Sequence, residues 1–154
     1  MKKLILFMAL IAFAATSCQN EGKPTPLEID NALTAAEIEA GILSPEVMWK
    51  MGRVGSSSLS PDGTEVAYTV TYYNMAENRG LTQIYVRDMA TGTETALTDN
   101  SSSNTDPQWS ADGSLIYFTS NRSGETQVWS MNPDGSSPKQ ITSVEGGVEG
   151  YGIN

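Results

Sequence analysis

The sequence predicts an all-β fold, a partial β-propeller of two four-stranded blades plus the start of a third, and three observations predict it. Ser-x-Asp-Gly followed by an apolar, β-prone run occurs twice, in "SLSPDGTEVAYTV" from Ser58 and "QWSADGSLIYFTS" from Gln108. Ile84-Tyr85-Val86 and Leu97-Thr98 recur 44 residues later as Val128-Trp129-Ser130 and Ile141-Thr142. A period of about 40–45 residues with four short strands per unit is the mark of a propeller blade.

The amino-terminal stretch has its own signals. "MKKLILFMALIAFAATSC" has a charged start at Lys2 and Lys3, an apolar run from Leu4 to Ala15 and small residues before Cys18. Residues 1–17 read as a signal peptide, since the run is shorter than the roughly 20 apolar residues that span a bilayer. Cys18, the single cysteine, resembles the lipidated residue of a bacterial lipobox, with Ala15 where that box usually has leucine. An exported lipoprotein, periplasmic or on the cell surface and held to the membrane by lipid on Cys18, is the expectation. The alternative is an ordinary secretory signal with an incidental cysteine. Residues 18–32 are polar, with Pro24 and Pro26, and read as a tether.

A helical lead-in is expected over residues 33–55. Thr34 and Glu37 form a capping box for a helix over Ala35 to Ala40, Leu33 and Ile38 a hydrophobic staple, and Gly41 the stop. Ser44 and Pro45 start a second short helix, and Gly52 ends it. Helices this short do not stand alone, so Trp49 is expected to pack on a later part of the chain.

The blades are assigned to residues 56–99 and 100–143, with 144–154 as the start of a third. Asp62-Gly63, Asp112-Gly113 and Asp134-Gly135 are the turns: glycine tolerates positive φ, and aspartate bonds the backbone ahead of it. Aligning Ser60 with Ser110 gives an offset of 50 rather than 44, so the first copy carries six extra residues, which fall in "TYYNMAENRG", Thr71 to Gly80. Twelve residues after Thr142 stands Asn154, where a third Ser-x-Asp-Gly would begin. The chain is therefore expected to be the amino-terminal piece of a longer protein, its two blades only marginally stable alone. The alternative is a free two-repeat protein that oligomerises.

The composition narrows the chemistry. The chain has 154 residues, a net charge of −9 and no histidine. Its acidity disfavours nucleic acid as a partner. Without histidine the usual metal ligand and the usual general base at neutral pH are missing, and no Gly-x-Ser-x-Gly elbow occurs. The Asp-Gly turns lack the regular acidic spacing of calcium loops. Ser136 and Lys139 have a Ser-x-x-Lys spacing but belong to a turn. No catalytic, metal or cofactor residue is assigned.

"WSADGSLIYFTSNRSGETQVWSMNPDGSSPKQIT" resembles the repeat shared by TolB-like propellers and the amino-terminal propellers of the prolyl oligopeptidase family. Leu43 to Gly80 resembles the start of the dipeptidyl-peptidase-like members, and Glu145 to Tyr151 the stretch before a further blade. The resemblance implies a propeller that caps a carboxy-terminal α/β-hydrolase domain, excludes folded proteins and orients a peptide substrate. The glutamate pair that grips a peptide amino terminus in dipeptidyl peptidases matches no residue here. A TolB-like lipoprotein that binds a protein partner is the second reading.

Overall fold

The computed structural model describes residues 29–153, so Cys18 and the signal-peptide reading lie outside the described residues. Capping chemistry sets the first two elements. In α1, Ala35–Ala40, the Glu37 amide donates to Thr34 Oγ1 at 3.2 Å and the Thr34 amide donates to Glu37 Oε2 at 2.7 Å. Gly41 ends the helix at φ 59°. In α2, Pro45–Lys50, Ser44 Oγ accepts the Val47 amide at 3.3 Å. Lys50 Nζ then ties the helices together, 3.0 Å from Glu37 Oε2 and 3.0 Å from the Ala32 carbonyl. The expected staple is replaced by this polar clasp: Leu33 and Ile38 are 43% and 66% exposed.

Among the described residues the helices lead into eight strands, in two antiparallel four-stranded sheets ordered β1-β2-β3-β4 and β5-β6-β7-β8. The first sheet holds β1 (Arg53–Leu59), β2 (Glu65–Asn74), β3 (Arg79–Asp88) and β4 (Glu94–Ala96). The second holds β5 (Asn104–Trp109), β6 (Ile116–Ser120), β7 (Gln127–Met131) and β8 (Lys139–Gln140). β1 starts at Arg53, within the stretch assigned to the lead-in.

Two local details go beyond the sequence reading. The six extra residues of the first repeat lengthen the β2–β3 hairpin. Its register continues through Thr71↔Thr82, Tyr72↔Leu81, Tyr73↔Gly80 and Asn74↔Arg79. Thr71, Tyr72 and Tyr73 are β-prone types that favour this pleated extension. Asp106-Pro107 lies inside β5. The register of β5 slips between Thr105 and Gln108, as that of β1 slips between Val54 and Ser57. Asp106 takes φ 51° in this bulge, and Pro107 is accommodated where the ladder is interrupted.

The core lies between the sheets. Ala67 from β2 and Ile84 and Val86 from β3 meet Trp109, Ile116, Phe118 and Met131 from β5, β6 and β7. Period-2 alternation puts these residues on facing sides, and the cross-strand pairs Ile116↔Met131 and Phe118↔Trp129 keep the second face apolar. Side chains stitch the inner strands: Trp109 Nε1 donates to the Ser58 carbonyl at 3.2 Å, and the Asp106 amide donates to Ser56 Oγ at 3.3 Å. The segment after β8 passes beside β5, where Gln108 Nε2 donates to the Tyr151 carbonyl at 3.4 Å and the Tyr151 hydroxyl donates to the Asp106 carbonyl at 2.5 Å.

Candidate functional site

The repeat turns have one chemistry. Ser60 Oγ donates to Asp62 Oδ1 at 2.7 Å, and the Thr64 amide and hydroxyl donate to the same oxygen at 3.0 and 2.9 Å. Ser60 Oγ in turn accepts the Glu65 amide at 2.9 Å. Ser110, Asp112, Ser114 and Leu115 repeat the set at 2.7, 3.0, 2.8 and 2.9 Å. Gly63 and Gly113 sit at φ 74° and 71°, where a side chain would be strained. Asp134 takes the simpler form, accepting the Ser136 amide at 2.9 Å. Gly135 is fixed for a second reason: at φ 82° a Cβ would fall 2.8 Å from the Leu97 carbonyl oxygen, in the segment that follows β4.

Hydroxyl and amide donors hold the Asp62 and Asp134 carboxyls below their usual range, and Ser110 with Ser114 lowers Asp112 to about 2. These carboxylates are spent on their own turns, and among the described residues no group of three acidic, cysteine or histidine side chains is placed to hold a metal. The charged turn stabilises the fold above the ordinary aspartate pKa of 3.8, and that contribution is lost as pH falls through about 2. Asp112→Asn is therefore expected to melt below the parent at pH 7, with the gap closing between pH 4 and pH 2 on the pKa values of Asp112. Thermal melts across that range check it; a gap that persists unchanged at the acid end would count against the ionised turn.

A second repeated device was not read from the sequence. Gln83 Oε1 accepts the Thr98 hydroxyl at 2.5 Å and Asn104 Nδ2 at 3.1 Å, while its Nε2 donates to the Ser102 carbonyl at 3.0 Å. Gln127, 44 residues on, accepts the Thr142 hydroxyl at 2.8 Å and the Val144 amide at 3.1 Å and donates to the Val144 carbonyl at 2.7 Å. Each glutamine lies on its blade's third strand and clasps the connection that leaves the fourth. The signal was available: "TQIYV" and "TQVWS" place Gln83 and Gln127 directly before the aligned triplets.

Two clefts remain. One, of about 590 Å³, is lined by Thr98, Asp99, Ser102, Arg122, Trp129 and Pro138, between the sheets. Arg122 lies with its guanidinium carbon 5.1 Å from the Phe118 ring centroid and 5.0 Å from that of Trp129, and donates to Ser120 Oγ at 3.0 Å and Asn104 Oδ1 at 2.8 Å. Burial lowers its pKa and Asp99 opposes that shift. The other cleft, about 600 Å³, lies between α2 and the β2–β3 hairpin tip. Trp49 packs there as expected, edge-on to Tyr73 at 5.4 Å. Ser136 lies in the β7–β8 turn, where its Oγ accepts Asn132 Nδ2 at 2.9 Å, Ser137 takes φ 56°, and Lys139 begins β8.

The comparisons agree with this architecture. The family model described as the TolB beta propeller domain matches residues 32–150. The chain is 33% identical over 122 residues to dipeptidyl-peptidase 5 of Porphyromonas endodontalis, a match that covers 79% of this chain and 18% of that protein. It is 40% identical over 83 residues to an uncharacterized protein of Agrobacterium fabrum, covering 54% of this chain and 26% of that one. The chain thus spans about a quarter or less of the length of these relatives. The solved acylaminoacyl peptidase of Pyrococcus horikoshii superposes with a TM-score of 0.53 at 21% identity, over 63% of this chain and 15% of that one, a likeness of fold. Two four-stranded antiparallel sheets, the repeated turns and the matched residues together show that this chain belongs to the TolB beta propeller domain family.

Proposed function

We propose that this chain is the propeller part of a membrane-tethered serine peptidase, gating and orienting peptide substrates for an α/β-hydrolase domain. One observation carries the reading: a relative named as a dipeptidyl-peptidase shares 33% identity over 79% of this chain while extending far beyond it. The chain's own composition supports the division of labour, because with no histidine it cannot assemble a serine triad. The blade turns are spent on structure, which leaves the propeller a selective rather than a chemical role. The tether is lipid on Cys18, supported by that residue's place after the apolar run.

The full-length product of the gene is expected to cleave dipeptidyl-coumarin substrates and to be labelled by a fluorophosphonate, whereas residues 1–154 alone do neither. A full-length product that is neither active nor labelled would sink the peptidase reading and leave the second one, a TolB-like scaffold that binds a protein, which the family match favours. Mass spectrometry of the mature amino-terminal peptide is expected to find acyl chains on Cys18, and a bare thiol there would remove the tether.

A further inference from the structure

The groove between α2 and the β2–β3 hairpin tip is built from parts the repeat does not need. The second blade closes its β6–β7 hairpin in five residue pairs, whereas the first extends β2–β3 to ten. The extra length carries Tyr73 and Met75 out to face a helix that has no counterpart in the second blade. The result is an aromatic and thioether surface left open to solvent: Trp49 is 37% exposed and Met75 54%.

At and beside that surface four carboxylates, Asp30, Glu37, Glu46 and Glu77, stand against three cations, Lys50, Arg53 and Arg79. Asp30, Glu46 and Glu77 line the groove. Its cations are already engaged, Lys50 with the Glu37 carboxylate and the Ala32 carbonyl, each at 3.0 Å. Arg53 stacks its guanidinium 4.7 Å from the Trp49 ring centroid and 4.6 Å from that of Tyr73. Glu77 lies 3.5 Å from Arg79, and both side chains stay half exposed. Arg53 shows what these rings accept: a delocalised cation on a flexible apolar stem.

We propose that this groove docks an extended peptide segment carrying lysine or arginine, with the alkyl stem along Trp49 and Met75 and the charged head among Glu46, Glu77 and Asp30. Long basic side chains bury their stems on apolar surface while the head stays with carboxylates or water. An acidic or neutral partner would leave the carboxylate rim unmatched, and the chain's overall charge of −9 works against an anionic one. The proposal does not depend on a hydrolase domain.

The test is fluorescence anisotropy of the purified protein with a fluorescein-labelled Ala-Lys-Pro-Lys-Ala peptide and with the same peptide bearing glutamate in place of both lysines. The lysine peptide is expected to bind, more weakly as salt rises, and the glutamate peptide not to bind. Glu46→Gln with Glu77→Gln, at exposed positions, is expected to weaken binding about tenfold or more. Met75→Ser, which leaves every carboxylate in place, weakens it less. Equal binding of the two peptides, or unchanged affinity in the double variant, overturns the proposal. So does binding that appears only in a Lys23→Glu variant, which would give the groove to the chain's own Lys23. Self-association in place of peptide binding, seen by light scattering, would give it to a second copy and equally overturn it.

Discussion

Phe118→Ala is expected to destabilise the fold by about 3–5 kcal/mol. Phe118 is fully buried at the centre of β6, between Ile84 and Val86 of one sheet and Trp129 of its own. Its ring also takes the Arg122 guanidinium at 5.1 Å, so the truncation removes a cation–π partner as well as core volume. The two sheets meet at this ring, so the cavity falls on their interface and neither sheet can close over it alone. Tryptophan-monitored thermal unfolding should show a drop on the order of 10–20 °C. Tyr117→Ala, one residue away and on the opposite face, is the control and should lose much less. A Phe118→Ala protein that melts within a degree or two of the parent would mean that the sheets do not share this core.

Gln83→Leu is the second large effect. The side chain is 2% exposed and satisfies Thr98, Asn104 and Ser102 together. Leucine fills similar space but bonds none of them. Each buried group left without a partner costs about 1–3 kcal/mol, and Asn104 and Ser102 keep some of theirs through their mutual bond and Arg122. A net loss of roughly 2–4 kcal/mol is expected on that basis. The informative readout is local. Thr98 Oγ1 also accepts the Ile84 amide at 2.9 Å, so hydrogen exchange should accelerate at Ile84 and through residues 98–103 before the rest of the sheet. A Gln83→Leu protein whose exchange rises evenly everywhere would show a bystander rather than a clasp.

Much of the fold could be read from the chain because its signals are local. The Thr34–Glu37 box, Ser44-Pro45 and the Asp-Gly turns each bond within a few residues, and each formed as its residue types dictate. The 44-residue period located both sheets because the same apolar alternation serves the same packing twice. What escaped was set by neighbours distant in sequence. The hairpin extension at Thr71–Asn74 needs Arg79–Thr82 opposite it, and the placement of Pro107 inside a strand needs a bulge that only the partner strand reveals. Leu33 and Ile38 have the spacing of a staple, but Lys50 reaches back from α2 and holds the entry by charge instead. Among candidate site residues the turns were legible. Gln83 and Gln127 were legible only as a repeated position before the aligned triplets, because a glutamine on a strand does not say what it bonds.

The seam between β1 and β5 gives the molecule a mechanical character. Within each sheet the ladder joins backbone to backbone, but across the seam serine hydroxyls and an indole do the holding, through Ser56, Ser58 and Trp109. A load in the plane of a sheet must break ladder bonds together, whereas one that splays the sheets breaks side-chain bonds and opens the apolar core around Phe118. Each blade is therefore a plate held by its ladder, and the seam a joint held by side chains. A change in the angle between the plates would fall on the side chains of the seam and leave every ladder bond intact.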